Sequence, residues 1–353
     1  MKALKVGILG YGKMGQVYGR WFQEHPGCEV VAVYNHSEGK REKVKEDIPD
    51  AEYYTDWKEL IRNPQIDAVG ICSATYEKCE QICEAIDAKK HVICEKPICM
   101  DLDELEQIKA HYDGSGIKFL VASELRLHPV IETVTRLIPD IGQIFHISLD
   151  YSMYRDEVKW KHKLEAGGGI LRELGQHLLD VANGWLGEPR LVFGKNIIIN
   201  PERQVEDFSM SIVEYQSGAL VRLTSHYYEH ETNTYNGAVY GSNGQINFRV
   251  SSYDPKQAWV KYYDHSGMRE ISISTPKDID NIYPGHLDSF KREIDGFVDA
   301  ITEDRPVANG IHEEERTLQI MCASYASGKS GCQMTLPISG FNRLELLDCY
   351  KRL

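Results

Sequence analysis

The stretch that decides the fold lies close to the N-terminus, where residues 6–15 read VGILGYGKMG. An apolar run enters a Gly-x-Gly-x-x-Gly motif at Gly10, Gly12 and Gly15, and helix-compatible sequence follows. This order suits a dinucleotide, because the first glycine allows a tight turn, the second lets the backbone approach the pyrophosphate, and the third lets helix and strand pack closely. Glycines also mark ordinary turns, but a second apolar strand at Glu29–Tyr34 favours the nucleotide interpretation.

The bulk properties exclude several classes of protein. A chain of 353 residues is long for one core and fits two domains. A formal net charge of −13 argues against a nucleic-acid partner. No apolar run is long enough for a membrane span, and a strand follows the N-terminus at once, so no membrane partner and no secretory signal are expected. The nine cysteines are irregularly spaced without a Cys-x-x-Cys pair, so we expect reduced thiols, no metal site and a cytoplasmic location.

Two patterns divide the chain. Residues 1–125 alternate short apolar strands with helices, which predicts an α/β Rossmann domain with a doubly wound parallel sheet. Residues 126–353 predict an α+β domain for substrate binding and oligomerisation, with a large open, mainly antiparallel sheet. An open sheet face needs a partner, so we expect a homo-oligomer. The second domain has an expected amphipathic helix at Leu171–Leu186 and closing helices at His286–Thr302 and Glu313–Lys329.

The chain resembles the Gfo/Idh/MocA oxidoreductase family, named for glucose–fructose oxidoreductase and inositol dehydrogenase. Beyond the first glycine motif, the resemblance rests on AKKHVICEKP at 88–97, RLHP at 126–129, GGGILRELGQHLLD at 167–180, WLGEP at 185–189, EDF at 206–208 and GSNG at 241–244. It implies NAD(P)-linked oxidation or reduction of a carbinol on a sugar, cyclitol or related compound. Some relatives retain the cofactor between half-reactions, and others use transient oxidation to cleave a glycosidic bond.

Three residues are the candidate catalytic groups. Lys96 follows a strand at the ligand edge of the sheet, where its ammonium can hydrogen-bond a developing alkoxide. His177 is the natural general base because imidazole titrates near neutral pH. Glu173, one helical turn earlier, can orient His177 or accept a substrate hydroxyl, and Asp180 is a second possible orienter. In the resembled family an aspartate commonly occupies the position of Glu173.

The expected cofactor is NAD or NADP. At the end of the second strand, Asn35 stands where an acid usually holds the ribose of NAD. Its neighbours His36, Ser37, Lys40 and Arg41 offer groups for a 2′-phosphate, so both cofactors remain open. The family often has Thr-Pro-Asn and then histidine where this chain has Ser73, Ala74, Thr75 and Lys78. The full set of expected cofactor contacts is Gly10, Tyr11, Gly12, Lys13, Met14, Gly15, Asn35, His36, Ser73, Ala74, Thr75, Lys78, Glu95 and Lys96.

Substrate contacts should come from Lys96, Glu173 and His177 together with aromatic side chains before the glycine run. Tyr154 and Trp160 are the strongest candidates, because an aromatic ring offers a flat apolar face to a sugar. Arg155, Lys161, His226, Tyr227 and Tyr228 are further candidates.

The leading hypothesis is an NAD(P)-dependent oxidoreductase acting on a secondary carbinol of a sugar, glycoside or cyclitol. One alternative is a glycoside-processing enzyme that oxidises sugar C3 with a retained NAD to release an aglycone. The other is a non-catalytic NAD(P)-binding sensor. The sequence does not name the substrate, the direction of reaction or the oligomer size.

Overall fold

The computed structural model describes residues 3–231, 233–274, 276–341 and 350–352. The chain forms two compact units, and each is built from two segments: Met1–Ser123 with Phe290–Glu314, and Glu124–Ser289 with Glu315–Leu353. The second segment of the first unit was not expected from the sequence. Its Phe297 packs edge-on against Phe22, with ring centroids 6.4 Å apart, and Asn309 donates to the carbonyl oxygen of Val121 at 3.2 Å.

The first unit contains a six-stranded, fully parallel sheet, which confirms the Rossmann prediction. Its strand order is β3-β2-β1-β4-β5-β6, so the direction of winding reverses between β1 and β4. At such a switch point a crevice for ligand opens beyond the carboxyl ends of the strands. The strands are β1 Leu4–Leu9, β2 Cys28–Tyr34, β3 Glu52–Tyr54, β4 Ala68–Ile71, β5 His91–Cys94 and β6 Phe119–Val121.

Helices connect these strands and cover the sheet. Val17, Tyr18, Trp21 and Phe22 of the first helix are all buried, as their spacing on one helical face predicts. The short strand β3 and the helix after it were missed by sequence analysis, because strand residues at this sheet edge stay partly exposed and lack an apolar run. The helices are α1 Lys13–Glu24, α2 Arg41–Asp47, α3 Trp57–Arg62, α4 Thr75–Asp87 and α5 Leu102–Tyr112.

The second unit contains a ten-stranded, mainly antiparallel sheet, as expected. The pairs β7–β10 and β8–β16 are parallel. The order is β14-β13-β12-β11-β7-β10-β9-β8-β15, with β16 beside β8. The strands are β7 Ile144–Ser152, β8 Pro189–Ile198, β9 Phe208–Tyr215, β10 Leu220–His226, β11 Thr234–Gly241, β12 Gly244–Ser251, β13 Trp259–Asp264, β14 Gly267–Ile271, β15 Met334–Thr335 and β16 Lys351–Arg352.

Side chains alternate across this sheet. Ile147 and Leu149 of β7 are buried, whereas Ile212 of β9 and Leu220 of β10 are 42% and 43% exposed. The remaining α-helices among the described residues are α6 Pro129–Leu137, α7 Gln176–Leu186, α8 Ser289–Thr302 and α9 Ile311–Ser330. Within the described residues, no helix combines the length and apolar character that crossing a membrane requires.

Two expected helices differ from the structure. The single helix expected over 171–186 begins as a π-helical segment, Leu171–Gly175, before α7 takes over. The amide of Gln176 bonds back to the carbonyl of Leu171, a five-residue step. The helix expected to begin at His286 begins instead at Ser289, because Leu287 adopts φ +55°, a conformation outside helical geometry. Single π turns are frequent at functional sites.

Candidate active site

The glycine loop after β1 has the shape that a pyrophosphate requires. Gly10 adopts φ +92°, and a Cβ there would lie 2.9 Å from the amide nitrogen of Ser73. A Cβ on Gly15 would lie 2.0 Å from the carbonyl oxygen of Gly10, so only glycine permits this approach of helix to loop. A Cβ on Gly12 would meet no described atom within 4 Å. Gly12 therefore leaves open space at the N-terminus of α1, which it caps without a side chain.

The other residues of this loop that were predicted to contact the cofactor are Tyr11, Lys13 and Met14. The Tyr11 ring is buried and its hydroxyl donates to Asp47 Oδ2 at 3.1 Å. Its amide donates to Asn35 Oδ1 at 3.2 Å, so Asn35 ties the glycine loop to the end of β2. Lys13 is exposed and Met14 is half-buried in the first turn of α1. An N-terminal helical turn with glycine instead of a side-chain cap fits a phosphate group.

The chain beyond Asn35 is polar and basic. Arg41 stacks 4.5 Å from the ring centroid of Tyr53 and pairs with Glu38 through bonds of 2.6 and 2.9 Å. His36 is exposed. Within the described part of the chain, the half-buried Lys40 has no hydrogen bond or ion pair for its ammonium. Lys40 is therefore the basic group available here to an added phosphate.

Lys78 holds the segment that carries Lys96. It is 2% exposed, and its Nζ donates to the carbonyl oxygens of Glu95 at 2.5 Å and Pro97 at 3.0 Å. These two carbonyls flank Lys96, which is half-buried after β5 and joined to Pro97 by a cis peptide bond. The Glu95 carboxyl is buried, and burial raises its pKa. The structure thus directs the ammonium of Lys78 at the backbone, where sequence analysis expected a cofactor contact.

The other residues predicted near the cofactor begin α4. The hydroxyl of Ser73 donates a hydrogen bond to the side chain of Gln81 in α4. Ala74 is the N-cap of α4 and provides no side-chain cap, and Thr75 is the first helical residue. Both α1 and α4 therefore begin directly after the two strands that flank the switch point.

In the second unit, Glu173 is surrounded by donors. Arg155 Nη1 lies 2.8 Å from each carboxylate oxygen, and Lys161 and the Tyr227 hydroxyl also donate to this carboxylate. Burial raises the pKa of Glu173, but the cations Lys161 and Arg155 outweigh it and lower that pKa to about 2. Glu173 is therefore ionised at neutral pH and anchors two cations.

His177 lies beside a different carboxylate. Its Nδ1 is 3.6 Å from Oε1 of Glu124, and His286 Nδ1 is 3.5 Å from the same oxygen. All three side chains are buried. Asp180, the other residue expected to orient His177, accepts hydrogen bonds of 2.6 and 2.5 Å from the guanidinium of Arg126. Sequence analysis missed Glu124 and His286 because each lies more than 50 positions from His177 in the chain, in a separate short turn.

A buried carboxyl lies under the glycine run. Oε1 of Glu206 accepts from the Leu171 amide at 3.2 Å and from the Tyr325 hydroxyl at 2.8 Å. Gly169 adopts φ +116°, and a Cβ there would lie 2.3 Å from Glu206 Oε2. Burial raises the pKa of Glu206 to about 7. Glu206 thus fixes the start of the π-helical segment that carries Glu173.

The aromatic candidates have different surroundings. Tyr154 is 46% exposed and stacks on His230, with ring centroids 4.0 Å apart. The side chain of Trp160 lies outside the described part of the chain. Among the described residues, no group of three or more histidine, cysteine, aspartate or glutamate side chains is arranged to hold a metal ion.

Comparisons with known proteins place both units in one family. Residues 4–123 match the model of the oxidoreductase family with an NAD-binding Rossmann fold, and residues 133–247 match the Gfo/Idh/MocA C-terminal domain. The scyllo-inositol 2-dehydrogenase (NADP+) of Bacillus subtilis is 30% identical over 266 residues, which cover 73% of this chain and 69% of that protein. The D-xylose 1-dehydrogenase (NADP+) 2 of Haloferax volcanii is 23% identical, over 94% of this chain and 98% of that protein.

Solved structures share the fold. Levoglucosan dehydrogenase, in complex with NADH and levoglucosan, has a TM-score of 0.88 over 96% of this chain and 100% of that chain, at 20% sequence identity. The glycine loop, the Rossmann topology and the family match agree that the cofactor is NAD or NADP. The chain therefore belongs to the Gfo/Idh/MocA family of NAD(P)-dependent oxidoreductases.

Proposed function

We propose that this protein oxidises or reduces a secondary carbinol of a sugar or cyclitol, with Lys96 and His177 as its catalytic residues. The observation that carries the proposal is the buried His177–Glu124 pair, with Nδ1 and Oε1 3.6 Å apart. A histidine beside a carboxylate is suited to proton transfer because the carboxylate stabilises the imidazolium that forms. The relatives named for scyllo-inositol and D-xylose support a polyol substrate.

Lys96, His177 and Glu173 have separate roles in the proposed reaction. When bound, the nicotinamide cofactor supplies hydride exchange with the carbinol carbon. Lys96 hydrogen-bonds the substrate oxygen and stabilises negative charge that develops there. His177 accepts the hydroxyl proton at Nε2, because its Nδ1 faces Glu124. Glu173 does not exchange a proton at neutral pH, because the pKa of its carboxyl is about 2; it positions Arg155 and Lys161.

The cofactor would be held by the glycine loop, with NADP favoured over NAD. Backbone groups around Gly12 and the first turn of α1 are suited to the pyrophosphate. Asn35 lacks the charge that repels a 2′-phosphate, and the ammonium of Lys40 can bind one. The two NADP-linked relatives support this preference.

Self-association is proposed through the outer face of the second unit's sheet. Ile212 of β9 and Leu220 of β10 are exposed there, beside a polar pair in which Arg222 binds Asp150 through bonds of 2.9 and 2.7 Å. Exposed apolar side chains on one sheet face fit an interaction surface, and a second copy of the chain is the partner we propose for it.

A substrate panel tests the proposed activity. The protein is mixed with NADP or NAD and with each of a set of sugars, cyclitols and glycosides, and the absorbance of reduced nicotinamide is followed. We expect a ketone or lactone product and stoichiometric reduced cofactor. A released aglycone without net cofactor reduction would instead support the glycoside-processing alternative, and cofactor binding without any turnover would support the sensor.

A further inference from the structure

We propose that the natural substrate carries a carboxylate, which binds to Arg155 and Lys161. The inference rests on the proposed function and narrows its substrate from polyols in general to acidic ones, such as aldonates and uronates. It follows from the charges and the unused hydrogen-bond donors around Glu173.

The cluster has more positive than negative charge. Arg155 and Lys161 both pair with Glu173, so two cations share one carboxylate. The chain as a whole has a net charge of −13, so this cationic excess is local. An anionic group of the substrate would balance the charge.

The carboxylate of Glu173 holds the two cations in place. It accepts two contacts from Arg155 Nη1 and one each from Lys161 and Tyr227. A carboxylate offers about four lone-pair sites, and these donors use both of its oxygens. Glu173 therefore fixes the positions of Arg155 and Lys161.

Arg155 has N–H groups that Glu173 does not use. Only its Nη1 bonds to Glu173, and within the described residues its Nε and Nη2 have no hydrogen-bond partner. The side chain is 17% exposed, so these donors are not sealed inside the protein. Its guanidinium stacks 4.9 Å from the ring centroid of Tyr227, which fixes its plane. A planar guanidinium with free N–H groups matches the geometry of a carboxylate.

The neighbouring charged groups do not remove the excess. The guanidinium of Arg203 also lies 4.8 Å from the ring centroid of Tyr227, but Arg203 is buried and pairs with Asp207 at 3.3 Å. His162 is uncharged at neutral pH, because burial and then Arg203 lower its pKa to about 4. Asp156 is exposed to solvent, which screens its charge.

The test compares matched substrates. Glucose with glucuronate and galactose with galacturonate differ mainly in one carboxylate, and the readout is the ratio of kcat/KM for the acid to that for the neutral sugar. We expect the ratio to exceed about 10 in the wild type. Arg155→Gln and Lys161→Met should each lower it about 10-fold or more, chiefly through KM, and Arg155→Lys should recover part of it. General damage to the site lowers both rates and leaves the ratio unchanged.

Lys159→Met is the matched control, because Lys159 is an exposed lysine two positions from Lys161 that pairs with Glu157. It should leave the ratio within about 2-fold of the wild type. The proposal of an acidic substrate fails if neutral sugars are turned over with a ratio near or below one. It also fails if Arg155→Gln and Lys161→Met leave the ratio unchanged. In both cases the proposed dehydrogenase activity still stands. If no polyol, acidic or neutral, reduces the cofactor, the proposed function itself fails.

Discussion

Replacing Lys78 with methionine should loosen the segment that carries Lys96. Methionine has nearly the length of lysine without its ammonium, so the substitution removes the bonds to Glu95 O and Pro97 O with little change in packing. Both carbonyls then lose a buried donor. The segment should lose its fixed position, and Lys96 with it.

The magnitude follows from the two contacts. A hydrogen bond to a charged group contributes about 1.5–3 kcal/mol, and two would give about 3–6 kcal/mol. Methionine also removes the cost of burying an ammonium, which offsets part of the loss. We therefore expect the free energy of unfolding to fall by about 2–4 kcal/mol and kcat to fall about 10- to 100-fold.

Urea unfolding and steady-state kinetics measure the two effects on the same preparations. Lys58→Met serves as the control, because the Lys58 ammonium pairs with Glu80 at 2.7 Å and lies 5.1 Å from the Trp57 ring centroid at an exposed site, where such contacts contribute about 1 kcal/mol or less each. A Lys78→Met protein with the stability and kcat of the wild type would show that Lys78 neither stabilises this segment nor positions Lys96. A variant that loses stability but keeps kcat would show that Lys78 supports the fold without positioning Lys96.

Three further predictions concern other parts of the molecule. Glu206 has a folded-state pKa of about 7, above that of an unfolded carboxyl. The contribution of Glu206 to the free energy of unfolding is therefore fully present below about pH 4 and is lost as pH rises through 7, by on the order of 3 kcal/mol. Glu206→Gln should flatten that pH dependence in thermal unfolding, and an unchanged slope would show that another group causes it. Lys40→Ala should weaken NADP binding about 10-fold and NAD binding less than 2-fold in fluorescence titrations, because only NADP offers a 2′-phosphate; equal losses would mean that Lys40 does not bind that group. Ile212→Lys should lower the molar mass seen in sedimentation, since a buried charge at the outer sheet face opposes association; an unchanged mass would place any interface elsewhere.

The sequence predicted features that depend on local chemistry. The glycine loop was predictable because its requirements are local: a Cβ on Gly10 or Gly15 would come too close to nearby backbone, and Gly12 leaves open space at the start of α1. The parallel sheet followed from short apolar strands alternating with helices.

Features that depend on distant contacts were not predictable. The π-helical segment at Leu171–Gly175 keeps the apolar spacing of an α-helix, so periodicity predicts no break. The neighbours of Glu173 were not predictable either, because Arg155 and Tyr227 come from other segments of the chain. The Glu124 carboxylate beside His177 lies more than 50 positions away in the chain, and a local sequence pattern does not predict such a distant pair.

The central claim is that His177, beside Glu124, accepts the proton of the substrate hydroxyl. The most direct measurement is the single-turnover rate of cofactor reduction in His177→Ala, with cofactor affinity titrated on the same protein and His265→Ala, an exposed histidine in a surface turn, as the control. We expect a fall of about 10²- to 10⁴-fold in the rate with cofactor affinity nearly unchanged, and wild-type behaviour for the control. A His177→Ala protein that reduces the cofactor at the wild-type rate would show that His177 is not the proton acceptor.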